Sequence, residues 1–182
     1  MPYKVISTSL PGVVILEPKI FSDERGLFFE SFNQRDFNLA ISQDVTFVQD
    51  NHSQSYKDVL RGMHYQIEHP QGKLVRVAKG TVFDVAVDMR RSSENFGKWV
   101  GIELSSDNNR QLWIPEGFAH GFMVMSDSAE FIYKTTDYWY REFERCLLWS
   151  DPVIGIHWPI SSLPLINDRD LNGKRLLEAD CF

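Results

Sequence analysis

The sequence predicts a mainly β protein, an antiparallel sandwich or jelly-roll barrel with a few short helices. About ten short apolar or alternating segments follow one another, with turn residues between them. Aromatic residues make up 13% of the chain, and large aromatic side chains favour β-sheets. The 182 residues, 43% of them hydrophobic, favour one domain over residues 1–182, with an irregular, partly helical tail from about residue 150.

The individual elements are predicted in order from apolar runs and turn residues. A strand at residues 13–18 and another at 27–32 flank a turn at 23–26, and a helix follows at 33–42. Further strands are predicted at residues 45–51, 74–78, 81–89, 99–104, 110–114, 122–125, 130–135 and 145–149. The clearest hairpin turns at Lys79-Gly80, because glycine can adopt the positive φ of a tight turn. Residues 115–121 are predicted to be a loop, and residues 168–177 to be mildly helical.

Charge and cysteine content limit the function classes. The net charge of −6 argues against a nucleic-acid binder that uses a basic face. No apolar run reaches the roughly 18 residues that span a bilayer, and the N-terminus lacks a signal-peptide pattern. Cys146 and Cys181 form no CxxC motif, so reduced thiols are expected. These observations predict a soluble, cytoplasmic protein without a membrane partner.

Residues 51–73 hold the densest cluster of candidate functional side chains. Leu60, Met63 and Tyr65 alternate with Arg61 and His64 over a short segment. Successive side chains of a strand point to opposite faces, so the apolar set is expected to face a core. Arg61 and His64 are then expected to share the opposite face.

Arg61 and His64 together suit an anionic ligand that also needs a base. Arginine binds two oxygens of a phosphate group, and imidazole titrates near neutral pH. Lys73 follows the turn at residues 69–72 and can return to the same face. Two simpler interpretations remain open, a hydrogen-bonded core histidine at position 64 and a solvated hairpin end at position 73.

The sequence predicts neither a metal nor a cofactor. A metal site on a β-barrel of this size calls for two histidines two residues apart, a nearby Glu and a later His. His64 is followed two residues later by Gln66 instead. The Gly-rich motifs of dinucleotide and nucleoside triphosphate binding are not in the sequence either.

Four other residues allow two interpretations each. Tyr133 is a proton donor or a rim aromatic, and His120 is a turn residue or a ligand donor. Trp139 is a packing anchor or a platform for a flat ligand. Asp170 is a helix-start acid or a functional carboxylate.

Ordered motifs over about nine-tenths of the chain resemble one family, the dTDP-4-dehydrorhamnose 3,5-epimerases. They are ILEPKIFSDERGLFFESFN, VTFVQDNHS, VLRGMHYQ, QGKLVRVAKGTVFDVAVDMR, FGKWVG, QLWIPEGFAHGF, and later Tyr133 with Trp149-Ser150-Asp151. The resemblance implies a metal-free, cupin-type jelly roll. It also implies a homodimer whose N-terminal strands are exchanged between subunits.

The resemblance also implies roles for single residues. His64 is implied to be the general base, Asp170 its orienting partner, and Tyr133 the general acid on the other side of the sugar ring. Lys73 is implied to lie near the C4 carbonyl. Contacts to the nucleotide sugar or its diphosphate are implied for Arg25, Glu30, Gln49, Asn51, Arg61, His120, Glu144 and Arg169, and stacking on thymine for Trp139. Some family members have Lys where this chain has Arg169, which keeps the charge.

The implied reaction converts dTDP-4-dehydro-6-deoxy-D-glucose to dTDP-4-dehydro-L-rhamnose by inversion at C3 and C5. The alternatives are a sister sugar enzyme of the same fold, such as a 3- or 5-mono-epimerase or a 3,4-ketoisomerase, and a non-catalytic sugar-binding cupin. A ketoisomerase is expected to depart from the pairing of His64 with Tyr133. A mono-epimerase keeps both residues.

Overall fold

A computed structural model describes residues 2–160 and 163–182. The N-terminal elements are β1 Lys4–Ser7, β2 Val14–Glu17, β3 Ile20–Asp23, β4 Gly26–Phe29, α1 Gln34–Ile41, β5 Gln49–Tyr56, β6 Leu60–Gln66 and β7 Lys73–Lys79. The later elements are β8 Thr81–Asp88, β9 Trp99–Ser105, β10 Gln111–Ile114, β11 Phe118–Val124, β12 Ser128–Thr135, β13 Glu144–Cys146 and α2 Asp168–Leu171.

Two antiparallel sheets form the jelly roll. The six-stranded sheet has the order β1-β2-β10-β7-β12-β5, and the five-stranded sheet has the order β13-β6-β11-β8-β9. Within residues 2–160 and 163–182, strands β3 and β4 pair only with each other, as a separate hairpin. The predicted mainly β, cupin-type class is therefore confirmed. The hairpin predicted at Lys79-Gly80 is wrong, because β7 and β8 lie in different sheets and the turn connects the two layers.

Three apolar clusters hold these layers together. The cluster between the sheets contains Phe122 and Phe131, which stack with ring centroids 4.1 Å apart. A second cluster packs the C-terminal tail onto the outer face of the five-stranded sheet, where Met63 and Tyr65 lie. In the third, Phe37 of α1 packs edge-on against a tryptophan of the six-stranded sheet. The core-facing position predicted for Met63 and Tyr65 of β6 is confirmed, since both pack against the tail.

Capping residues set the bounds of the two helices. The Asn33 side chain accepts a hydrogen bond from the backbone N–H of Asp36, and Ser42 adopts the left-handed conformation at the other end. Helix α1 therefore matches its prediction. The helix predicted over residues 168–177 is shorter, because α2 spans only Asp168–Leu171.

Several predicted strand bounds were wrong. Residues 45–48 are not a strand, because β5 begins only at Gln49. Strands β1 and β3 were missed, since both are largely exposed and neither alternates between core and solvent. Strand β11 begins at Phe118, so His120 lies within a strand and not in the predicted loop. The strand predicted at residues 145–149 is shorter and begins one residue earlier, since β13 spans Glu144–Cys146.

Two glycines bring β6 and β11 unusually close. Gly62 has a φ of +127°, and a Cβ atom there would lie 2.5 Å from the Cα of Gly121. A side chain at position 62 would therefore push apart the strands that carry His64 and His120, which are cross-strand partners. In the described part of the chain, no helix is both long and apolar enough to cross a bilayer.

Candidate active site

A cleft of ≈ 390 Å³ opens between the two sheets. Strands of both sheets supply its walls, so residues far apart in sequence converge on it. Nine of the predicted site residues line it: Asn51, Arg61, His64, Lys73, His120, Tyr133, Trp139, Glu144 and Arg169. The cluster predicted from residues 51–73 is therefore part of one concave site.

The side chain of His64 contacts the buried carboxylate of Asp170. Its Nε2 lies 2.7 Å from Oδ1 of Asp170, which is 1% exposed. Asp170 also accepts a hydrogen bond from the backbone N–H of Gly62 at 3.1 Å. The Asn167 side chain caps α2 by accepting from the Asp170 N–H at 2.7 Å. The short helix thus fixes the carboxylate against His64.

The charge state of Asp170 follows from its partners. Burial raises the pKa of this carboxyl, but the hydrogen bond and charge of His64, the Gly62 N–H and the charge of Arg169 together outweigh burial. The net pKa lies below its usual value. The carboxylate is therefore ionised and can only accept, so His64 Nε2 carries the proton. The lone pair of Nδ1 is then the one available for a substrate proton.

Lys73 is a buried cation at the start of β7. It is 7% exposed, and its Nζ donates to the carbonyl oxygen of His64 at 3.2 Å. Burial lowers the pKa of Lys73 to about 8, although the charges of Glu144 and Asp84 oppose that shift. An ammonium group in so dry a site interacts strongly with any negative charge that develops beside it.

Tyr133 reaches the cleft from the six-stranded sheet. It lies on β12 opposite Asn51 of β5. Burial raises the pKa of the Tyr133 phenol, as does the charge of Glu144, while Arg61 lowers it. The phenol is therefore protonated at neutral pH and can act as a proton donor.

His120 belongs to a second buried pair that the sequence did not suggest. Its Nε2 lies 2.9 Å from Oδ2 of Asp84, which is 0% exposed. The only sequence signal for Asp84 is an acidic residue inside the apolar run of β8. A buried carboxylate needs such a partner, so it fixes the His120 ring in the cleft wall.

The cleft is also rich in cations and polar groups. Arg61 donates from Nε to Ser55 Oγ at 3.0 Å, leaving the rest of its guanidinium for a ligand. Arg169 binds both carboxylate oxygens of Glu144 at 2.8 Å. The charge of Arg169 helps hold the pKa of Glu144 below its usual value, against the effect of burial. Trp139 lines the same cleft and is 50% exposed.

Gln66, which the sequence did not suggest, ties the Trp139 loop to β6. Its amide nitrogen donates to the carbonyl oxygens of His69 at 2.7 Å and Tyr138 at 3.1 Å. Its amide oxygen accepts from the Tyr140 N–H at 2.6 Å. This side chain is 2% exposed, so its bonds fix the residues on both sides of Trp139.

Four predicted site residues are not part of the cleft wall, and one of them, Asp170, lies behind His64. Gln49 donates to Asn51 Oδ1 at 2.9 Å and accepts from the Trp139 N–H at 3.1 Å, so it supports two lining residues. Arg25 lies on the exposed β3–β4 hairpin beside Asp23, and Glu30 follows that hairpin. A single chain therefore does not bring Arg25 or Glu30 to His64.

Comparisons with known proteins agree with this architecture. The family model described as dTDP-4-dehydrorhamnose 3,5-epimerase matches residues 7–178. The chain belongs to this family. An epimerase of that name from Shigella flexneri is 60% identical over 98% of both chains. Another from Pseudomonas aeruginosa is 56% identical over 98% of this chain and 99% of its own.

A solved structure shows the same fold. The dTDP-6-deoxy-D-glucose-3,5-epimerase from Legionella pneumophila, in complex with dTDP-4-keto-L-rhamnose, superimposes with a TM-score of 0.96. It is 48% identical, and the match covers 98% of this chain and 95% of that one. The sequence-based assignment to the epimerase family, and so to the isomerases, is therefore confirmed.

Proposed function

We propose that this chain inverts C3 and C5 of dTDP-4-dehydro-6-deoxy-D-glucose to give dTDP-4-dehydro-L-rhamnose, in dTDP-L-rhamnose synthesis. The observation that supports this most directly is the pairing of His64 with Asp170 at 2.7 Å in a cleft shared with Lys73 and Tyr133. Full-length similarity to enzymes named for this reaction supports the same substrate.

His64 removes the proton in this mechanism. The C–H bonds at C3 and C5 are acidic because the C4 ketone delocalises the resulting charge as an enolate. Nδ1 of His64 takes the proton, and the ionised Asp170 stabilises the imidazolium through Nε2. The carboxylate also fixes the ring of His64 in the cleft wall and leaves Nδ1 as the nitrogen that can accept the proton.

Lys73 stabilises the enolate. Negative charge builds on the C4 oxygen as the proton leaves, and a buried ammonium beside it lowers the barrier. Its hydrogen bond to the carbonyl of His64 holds the cation next to the base. This arrangement lets proton removal and charge stabilisation occur together.

Tyr133 returns a proton from the other face of the ring. It comes from the six-stranded sheet, whereas His64 comes from the five-stranded sheet, so the two side chains approach a ligand from different walls. The phenol's raised pKa keeps its proton until the basic enolate takes it. Delivery opposite to the removed proton inverts the carbon.

The nucleotide end positions the sugar. Arg61 and Arg169 suit the diphosphate, because a planar guanidinium binds two oxygens at once. Trp139 suits stacking on the thymine ring. Asn51, on β5 opposite Tyr133, adds an amide to the same cleft wall. Binding energy from these contacts then orients the ring over His64.

We propose a homodimer that supplies the remaining contacts. The β3–β4 hairpin exposes apolar side chains, with Leu27 55% and Phe28 66% exposed, which favours burial against a second copy. In a symmetric dimer, the hairpin of one protomer then reaches the partner's cleft. This exchange delivers Arg25 and Glu30 to a site they do not reach in their own chain.

Deuterium labelling tests the reaction against its alternatives. The protein is incubated with dTDP-4-dehydro-6-deoxy-D-glucose in deuterated water, and label at each carbon is mapped by NMR. Label at C3 and C5, with inversion at both, is the expected result. Label at one carbon alone supports a mono-epimerase. Binding without label supports a non-catalytic sugar-binding cupin and contradicts the proposal.

The cytoplasm is the proposed compartment. Cys146 and Cys181 are both free thiols, which suits a reducing environment.

A further inference from the structure

Cys146 lies beside the His64–Asp170 pair, although the proposed mechanism does not use it. Its Sγ is 3.9 Å from Asp170 Oδ1 and 3.8 Å from the carbonyl oxygen of Gly62. One ligand atom each from Cys146, His64 and Asp170 lies within 4.8 Å of the other two. We propose that these three side chains bind a thiophilic divalent cation such as Zn²⁺, and that the bound ion inhibits the enzyme.

The donor set suits zinc. A thiolate, an imidazole nitrogen and a carboxylate oxygen are the three ligand types that Zn²⁺ takes in proteins. Three protein ligands leave the fourth tetrahedral position for water. The protein offers these ligands from three different segments, β6, β13 and α2, so they surround a point instead of lying along one strand.

The distances require only small movements. Tetrahedral zinc with usual bond lengths places a nitrogen and an oxygen ligand about 3.3 Å apart, and a sulfur and an oxygen about 3.6 Å apart. The corresponding separations are 2.7 Å for His64 Nε2 to Asp170 Oδ1 and 3.9 Å for Cys146 Sγ to the same oxygen. The third pair, the His64 nitrogen and the Cys146 sulfur, lies within 4.8 Å. Small side-chain rotations therefore bring the three ligand atoms to the separations of a tetrahedral zinc site, about 3.3 to 3.6 Å.

The charges balance at this position. Burial raises the pKa of the Cys146 thiol to about 12, so without an ion the cysteine is neutral. A bound dication supplies the charge that lets the thiol ionise. The negative charges of the Cys146 thiolate and the Asp170 carboxylate then neutralise the two positive charges of the ion. Arg169, 3.7 Å from Asp170 Oδ1, opposes binding, but Glu144 already pairs with that guanidinium at 2.8 Å.

An ion on His64 removes the base through a change of tautomer. A neutral imidazole that binds a metal through Nε2 must carry its single proton on Nδ1. Nδ1 then has no lone pair for the sugar proton. The ion also replaces the hydrogen bond from Nε2 to Asp170. This inhibition rests on the proposed role of His64 as base, whereas ion binding itself does not.

Two measurements on the full-length protein test the site. Co²⁺, a spectroscopic substitute for Zn²⁺, is titrated into the substrate-free enzyme, and thiolate-to-cobalt charge-transfer absorption is recorded. Turnover is then measured after preincubation with increasing Zn²⁺. The variants are Cys146→Ala and, as a matched control, Cys181→Ala, which removes the other free thiol. Because the substrate's diphosphate also binds Zn²⁺, comparison at equal substrate removes that effect.

The wild type and Cys181→Ala are expected to show the absorption band and to lose turnover with Zn²⁺. Cys146→Ala is expected to show no band and to need ~100-fold more Zn²⁺ or more for the same loss, since a direct ligand is gone. No band in the wild type, or equal Zn²⁺ sensitivity in Cys146→Ala, overturns the site. A band without loss of turnover supports the site and instead contradicts the role of His64 as base.

Discussion

His64 Nε2 donates to Asp170 Oδ1 across 2.7 Å, although 106 positions separate the two residues along the chain. The contact exists because α2 returns the C-terminal tail to β6, where the backbone N–H of Gly62 binds the same carboxylate. One buried acid therefore anchors both the tail and the base.

Asp170→Asn is expected to lower kcat by ~10²-fold or more, because the neutral amide no longer stabilises the imidazolium that forms at His64. The affinity for dTDP is expected to change much less than kcat, because Arg169, 3.7 Å from Asp170, keeps its ion pair with Glu144. Steady-state kinetics and calorimetry with dTDP check the two quantities. Asp168→Asn, an exposed acid on the same helix, is the control and is expected to keep full turnover.

Tyr133→Phe is expected to impair inversion while deuterium still enters the substrate. The variant removes the proposed acid and leaves His64 and Lys73 to form the enolate, which then regains a proton on the original face. NMR of the labelled sugar separates exchange from inversion. Tyr56→Phe changes an exposed phenol and serves as control. Wild-type inversion in Tyr133→Phe would exclude the acid role.

Lys73 is expected to impose the basic limb of the pH–rate profile. Burial lowers its pKa to about 8, so the ammonium is lost as pH rises through that value. A cation is needed to stabilise the enolate, so kcat/KM is expected to fall above pH 8. Lys73→Met is expected to lose ~10²- to 10³-fold in kcat, the usual cost of removing one oxyanion donor.

Lys79→Met is the matched control for Lys73, because Lys79 lies on the same strand and is exposed. It is expected to keep both the rate and the basic limb. A profile of wild-type enzyme that stays flat well above pH 8 would contradict the role given to the Lys73 charge.

Gln66→Leu is expected to raise KM several-fold with little change in kcat. The leucine is of similar size but leaves the carbonyl oxygens of His69 and Tyr138 and the N–H of Tyr140 without their partner. The loop that carries Trp139 therefore loses its fixed position. Gln54→Leu on β5 is exposed and is the control. An unchanged KM and an unchanged dTDP affinity would contradict the role given to Gln66 in fixing the loop that carries Trp139.

The sequence predicts burial and strand position best where the pattern within one short segment is sufficient. The period-two alternation of β6 assigned Met63 and Tyr65 to the core and His64 to the cleft, and the structure agrees. The predicted hairpin pairing of β7 with β8 is wrong, because the two strands lie in different sheets. The apolar runs and Gly80 nevertheless mark both strands and the turn between them. These patterns are local, so no knowledge of the neighbouring strands is needed.

Long-range pairs are harder to predict from a single sequence. The His120–Asp84 contact depends on the register of β11 against β8, which places His120 opposite Ala86. Strand β3 has four exposed residues, so no core-facing alternation marks it. The resemblance, and not the local pattern, predicted that Asp170 pairs with His64, because their contact requires the whole tail to fold back.

The proposed exchange of hairpins between protomers predicts that two inactive variants complement each other. Arg25→Ala removes the guanidinium of the exposed β3–β4 hairpin, and His64→Asn removes the proposed base of the cleft. In a mixed dimer, the intact cleft of the Arg25→Ala protomer receives the intact hairpin of its partner. Each variant alone is expected to be nearly inactive.

Unfolding and refolding an equal mixture of the two variants tests this. Random pairing makes half of the dimers mixed, each with one complete site, so about one quarter of wild-type activity is expected. Mixing His64→Asn with Lys73→Met is the control, because both changes lie in the cleft. Mixed dimers would regain about one quarter of the activity only if His64 and Lys73 of one site came from different protomers. That control is therefore expected to stay inactive, since Lys73 contacts His64 within one chain. Activity no higher than that of the separate variants in the first mixture would contradict exchange of the hairpin.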